Sequence, residues 1–183
     1  MDIVIREARD DELEAVGELS ARVYLEGGLL AFGADDPYLG VLRDAAHRAA
    51  HAEVLVAVER DGGAEGAGGE RLLGSVTFVG RGGAFADLAG PGEAEFRMLA
   101  VDGAARGRGA GEALVRECLR RSREIGARRV VLSSQSQMHT AHRLYERLGF
   151  VRAPELDWEP VPEVRLHAFA HELADAPRDD HNI

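Results

Sequence analysis

The sequence predicts an α+β fold, a mixed and mostly antiparallel central sheet of about seven strands with helices on both faces. Three observations predict it. Seven short apolar runs, at 3–5, 53–60, 71–79, 95–101, 129–133, 150–151 and 164–172, have strand length and are mostly bounded by glycine or polar turns. Four longer segments carry apolar residues at helical spacing. Between residues 95 and 111 an apolar run passes through a loop holding Gly107, Gly109 and Gly111 directly into one of those helical segments.

In chain order, Ile3, Val4 and Ile5 begin the first strand. Asp10 and Asp11 then cap a helix with Leu13, Val16 and Leu19 on one face, which ends at Gly27 and Gly28. Asp36 and Pro37 start a second helix that should run to about residue 50, with Tyr38, Leu39 and Leu42 apolar. The runs at 53–60 and 71–79 read as a hairpin joined by the glycine-rich stretch 61–69. A second loop, 80–92, contains Phe85 and Leu88 and reads either as a solvent loop or as a lid over a binding cleft. After the strand at 95–101, a helix from Gly109 to about Ile125 presents Ala110, Ala113, Leu114, Cys118 and Leu119 on one stripe, and Gly126 stops it. Val130, Val131 and Leu132 mark a buried strand. Met138, Ala141, Leu144, Tyr145 and Leu148 mark the last helix, closed by Gly149. Residues 1–174 are expected to form one domain, and 175–183, without an apolar face, a disordered tail.

Composition narrows the function. A formal charge of −10 over 183 residues argues against general nucleic-acid binding. Yet residues 95–129 hold nine arginines against five acids, a local excess of +4 that suits a polyanionic small ligand or is ordinary helix-surface charge. All 22 basic residues are arginine, which excludes a Schiff-base lysine. Cys118, the only cysteine, has no disulfide partner in the chain and falls in the apolar register of its helix, so packing outweighs a catalytic thiol. The N-terminus lacks a signal-peptide pattern and no apolar run approaches the roughly 20 residues of a membrane helix, so a soluble, cytoplasmic protein is expected. His139 with His142, and His167 with His171, lack the further ligands of a zinc site, and no metal is expected.

The glycine junction is an anion cradle. Its three glycines strip side chains from a helix N-terminus, where backbone N–H groups and the helix dipole favour negative charge, and Arg106 and Arg108 stand beside them. It is neither a P-loop nor the dinucleotide fingerprint, because the spacing is Arg-x-x-Gly-x-Gly from Arg106 to Gly111.

That spacing after a Leu-Ala-Val strand end resembles the pyrophosphate-binding motif of the GNAT superfamily of acyl-CoA-dependent N-acyltransferases. A second stretch, Ala141 to Phe150, is similar to that family's A-x-x-L-Y-x-x-x-G-F motif. The resemblance covers residues 94–152. It implies a splayed pair of parallel strands, here around Met98, Leu99, Ala100 and Val101 on one side and Val130 to Ser134 on the other, with the coenzyme's pantetheine between them. It implies that Arg106, Gly107, Arg108, Gly109, Ala110 and Gly111 hold the diphosphate, and that a backbone N–H near Leu99 faces the thioester oxygen. Tyr145 stands where the family has its general acid; a core tyrosine fits the same stripe position. Met138 replaces an asparagine that often contacts the coenzyme, with Ser134, Ser136 or Gln137 as substitutes. Glu95, or its neighbour Glu93, is a candidate base acting on the acceptor through water, or simply a strand-end charge.

The expected reaction is direct transfer of an acetyl group from acetyl-CoA to a primary amine of a small molecule or peptide, with a homodimer as the family's habit. The alternatives are a non-catalytic acyl-CoA-binding or regulatory module, and a structural protein whose glycine loop only turns a corner.

Overall fold

The computed structural model describes residues 2–60 and 69–173. Each apolar run read from the sequence becomes a strand of one eight-stranded sheet: β1 (Asp2–Glu7), β2 (Glu53–Arg60), β3 (Glu70–Val79), β4 (Glu93–Val101), β5 (Arg129–Gln135), β6 (Val151–Arg152), β7 (Trp158–Val161) and β8 (Val164–Glu172). The order is β1-β2-β3-β4-β5-β8-β6, with β7 also paired to β8. All pairings are antiparallel except β4 with β5. β7 is the strand not anticipated. Pro160 lies within it, and a proline cannot donate to a ladder, so the segment pairs on one side only.

Among the described residues five α-helices cover the sheet: α1 (Leu13–Glu26), α2 (Tyr38–Arg43), α3 (Ala45–His51), α4 (Ala110–Glu124) and α5 (His139–Arg147). Alternation along β2 divides them between two faces. Val54, Val56 and Val58 pack with Val16 of α1 and Ala45 of α3, whereas Leu55 and Ala57 join the cluster containing Leu114 and Cys118 of α4. Each fully buried Val, Leu or Phe of this kind contributes about 1.5–3 kcal/mol.

The single helix expected from residue 36 to 50 is two. Asp44 leaves the helical conformation, and its side chain accepts from the His47 N–H at 3.0 Å, capping α3. Arg48 of α3, 1% exposed, turns back to satisfy the end of α2 by donating to the Val41 and Leu42 carbonyls at 3.2 and 2.6 Å. α1 crosses this junction closely. A Cβ on Gly17 would sit 2.0 Å from the Arg43 carbonyl oxygen.

The site is made by an incomplete ladder. β4 and β5 pair only at Glu93 with Arg129, Ala94 with Val130 and Glu95 with Val131, although both strands continue beyond. On its other side β4 is bulged: two steps along β3, from Ser75 to Thr77, match three along β4, from Ala100 to Arg97. Met98 takes the left-handed conformation, φ 56°, at this bulge. The loop expected at 61–69 lies outside the described residues except for Gly69, and so does the expected tail at 175–183.

Candidate active site

Where β4 and β5 part, a cavity of about 200 Å³ opens. Met98 and Leu99 line it from β4, Leu132, Ser133, Ser134 and Gln135 from β5, and Met138 and Tyr145 from the start and body of α5. Tyr24, Leu30 and Tyr38 close it from the helical side, Asp87 and Arg97 from the loop side, and Trp158, Val164 and Leu166 from the β7–β8 hairpin. Tyr145 is 3% exposed, with its ring held among Phe96, Phe150 and Phe169 at centroid distances of 5.8–5.9 Å. Burial pushes its phenol pKa above the usual value, so it stays protonated at neutral pH. Its hydroxyl has no hydrogen-bond partner among the described residues.

The glycine junction lies at the N-terminus of α4. Gly107 and Gly109 are both left-handed, φ 76° and 88°, and Gly109 is the residue from which α4 starts. A Cβ on either would point into open space, the side from which an anion would approach. Gly111 differs. A Cβ there would lie in ordinary van der Waals contact, 3.4 Å from Val101 and 3.6 Å from Leu144, so this position faces β4 and α5 and not open space. Ala110 is buried in the same contact, and Ala100 packs beneath Leu19 and Val23 instead of lining the cleft.

The arginine-rich segment is mostly neutralised by acids from outside it. Arg108 donates to both carboxylate oxygens of Glu59 on β2. Arg121 pairs with Glu7, Glu53 and Glu117, Arg128 and Arg129 with Glu93, and Arg97 with Asp87. Of the nine, Arg106 and Arg123 have no ion-pair partner among the described residues. Among the described residues, exposed Arg106 is therefore an arginine beside the glycine junction without an ion-pair partner.

The structure places the two candidate bases, Glu95 and Glu93, outside the cavity lining and in contact with other partners. Glu95 is fully buried, and its carboxylate accepts from the backbone N–H groups of Asp87, Leu88 and Ala89 at 2.9–3.4 Å. Burial raises its pKa, and those three amides oppose the rise. Glu93 accepts from the Gly90 N–H and pairs with Arg128 at 2.5 Å and Arg129 at 3.0 Å. Neither lines the cavity. Both tie down the loop at 80–92, whose Phe85 is buried. Cys118 is fully buried with its thiol pKa pushed up by desolvation, which suits packing and not nucleophilic attack.

The sequence reading singled out the loop at 80–92, which lends Asp87 to the cleft's outer wall, but none of the other wall residues, and it read His142 only as one of a histidine pair. Tyr24, Tyr38, Asp87, Arg97 and Trp158 come from five separate segments with no shared spacing. His142 precedes Tyr145 by three residues, one helical turn, and its Nε2 lies 3.2 Å from Ser134 Oγ.

Residues 8–150 match the model of the acetyltransferase (GNAT) family. The chain belongs to that family. The fold agrees: a GCN5-related N-acetyltransferase from Kribbella flavida superposes with a TM-score of 0.64 at 24% identity, over 93% of this chain and 98% of that one. An acetyltransferase of the GNAT family from Staphylococcus aureus Mu50 gives 0.68 at 14% identity, over 94% and 99%. A Salmonella typhimurium protein whose structure holds its cofactor acetyl-CoA gives 0.66 at 19% identity, over 98% and 99%. No curated protein matches the chain in sequence. As a GNAT acetyltransferase the chain is expected to handle acetyl-CoA, and its parted strands and glycine cradle fit that ligand. Among the described residues no helix is long and apolar enough to cross a membrane, and no group of three or more His, Cys, Asp or Glu is placed to hold a metal.

Proposed function

We propose that this protein transfers the acetyl group of acetyl-CoA directly to a primary amine of a small molecule or peptide. The observation that carries the reading is Tyr145: it lines the cleft where β4 and β5 part, protonated and with its hydroxyl unpaired among the described residues. The coenzyme supplies a thioester, an acyl group already activated toward amines.

The residues present fit that coenzyme. The backbone of Gly107, Arg108, Gly109, Ala110 and Gly111 would receive its diphosphate, with Arg106 adding charge, because left-handed Gly107 and Gly109 leave the approach clear. Beyond Glu95 and Val131 the facing edges of β4 and β5 lack each other as partners, so their backbone groups can pair with an amide-bearing chain between them. Ser134 and Met138 border that gap. A backbone N–H near Leu99, within the bulge, would donate to the thioester oxygen as charge builds on it. Tyr145 gives its proton to the leaving sulfur. The outer wall orients the amine, mostly by excluding water and fixing its approach.

The test is release of free thiol from acetyl-CoA, with and without each amine of a panel: 2-phenylethylamine, L-methionine, spermidine and an alanine-initiated tripeptide. Amine-dependent release supports the reading. Tight acetyl-CoA binding without release for any amine retires it in favour of a binding module.

A further inference from the structure

We propose that Ser134 and His142 form a proton relay that takes the acceptor amine's proton, the role that neither Glu95 nor Glu93 is placed to fill. The inference rests on the acetyltransferase reading above. Ser134 lines the cleft and is 4% exposed, so its hydroxyl has few partners to choose from. Two are within reach: His142 Nε2 at 3.2 Å and the weaker acceptor Met138 Sδ at 3.5 Å. His142 itself is not a cleft-lining residue. It sits one step behind Ser134, half-buried, which gives a proton a way from the cleft toward solvent.

The ring is held in place. It lies 4.9 Å from the Phe169 ring and stacks with His167 of β8 at 6.1 Å and 29°, while His139 of the same helix meets it edge-on. The charged and titratable groups around it are His139 and Tyr145 on α5, His167 on β8 and Arg152 on β6, the last paired with Asp157. Burial, His167, His139 and Arg152 disfavour the imidazolium, and the Gln135 backbone partly opposes them. The net effect keeps His142 neutral at neutral pH, and in its Nδ1–H tautomer the Nε2 lone pair faces Ser134 Oγ.

The step balances. The amine nitrogen bonds to the thioester carbon as the carbon–sulfur bond breaks. The nitrogen's proton passes to Ser134 Oγ while the serine's own proton passes to His142 Nε2. The departing sulfur takes the Tyr145 phenol proton. The imidazolium then releases its proton to solvent and the phenolate recovers one, so only the thioester and the amine are consumed.

The experiment compares wild type, Ser134→Ala, His142→Gln and His142→Ala by thiol release with the amine panel across pH, with acetyl-CoA affinity by calorimetry and thermal unfolding alongside. Glutamine can keep the hydrogen bond to Ser134 but cannot carry the proton, so a packing role predicts a nearly normal His142→Gln enzyme. The relay predicts a fall of about 10²-fold or more in turnover for His142→Gln. It also predicts retained acetyl-CoA affinity, loss of the wild-type acid-side decline in rate, which lies on the acid side of a free imidazole's titration, and partial rescue of His142→Ala by added imidazole. A His142→Gln enzyme with wild-type rate and acid limb overturns the relay alone. So does a variant whose activity falls only in step with its stability or coenzyme affinity. A wild type that releases no thiol with any amine overturns the acetyltransferase reading and the relay with it.

Discussion

The Glu95 carboxylate accepts the Asp87 backbone N–H at 2.9 Å, and Leu88 and Ala89 donate to the same group. A core strand thereby holds the loop that lends Asp87 to the cleft wall. Glu95→Gln leaves one acceptor oxygen and turns an amide NH₂ toward backbone donors. We expect it to destabilise the protein by about 2 kcal/mol and to speed amide exchange at Leu88 and Ala89. Turnover below the melting transition should fall by much less than the ~10²–10⁴-fold that removal of a general base costs. A larger fall with unchanged stability would restore Glu95 as the base.

Asp157 provides the expected acid sensitivity. One carboxylate oxygen accepts from Arg152 and from the Ala168 N–H, both at 2.8 Å, and the other accepts from Arg152 at 2.7 Å. Arg152 holds the Asp157 pKa down to about 2. Because the folded value lies below the unfolded one of about 3.9, this stabilisation is complete above that pH and is lost as pH falls toward 2. Asp157→Asn should lose about 2 kcal/mol at neutral pH and show a flatter decline in melting temperature with acid. Equal acid dependence in the two proteins, followed by thermal unfolding, would contradict this.

What was legible in the sequence had a period or a fixed spacing. β2 was readable to the residue because Val54 to Val58 is an unbroken apolar run bounded by charged residues, and β8 because Val164, Leu166 and Ala168 repeat every second position. The left-handed turn at Gly107 and Gly109 was readable because glycine spacing reports backbone shape directly. β7 was hidden by Pro160, and the break between α2 and α3 by an apolar pattern that runs past Asp44. The fate of Glu95 was invisible for another reason: its partners are backbone amides, which any sequence supplies. The ion pairing of the local arginine excess was not legible because the balancing acids, Glu7, Glu53, Glu59 and Glu93, lie outside the window.

Gly109 tests the cradle. Its φ of 88° and the open space beyond its absent Cβ mean that valine would both strain the start of α4 and stand in the anion's path. Gly109→Val should weaken CoA by an order of magnitude or more, the scale of one or two lost charge-assisted hydrogen bonds. Arg106→Ala, which leaves the backbone unstrained, should weaken CoA in the same direction by a smaller factor. Calorimetry with CoA and with its 3′-dephospho form checks both, and the 3′ phosphate should matter less than the diphosphate. Unchanged affinity in a folded Gly109→Val protein would place the anion elsewhere.

Tyr145 is proposed as the acid of an acetyl transfer and not only as a ring among Phe96, Phe150 and Phe169. Tyr145→Phe keeps the ring and removes the hydroxyl, so the decisive measurement is steady-state thiol release by wild type and Tyr145→Phe with the amine that wild type uses. The account predicts a fall of about 10²–10⁴-fold in turnover with acetyl-CoA affinity nearly unchanged. The loss should shrink for a thioester whose leaving thiol is more acidic. Turnover close to that of wild type would contradict it and leave Tyr145 as packing alone.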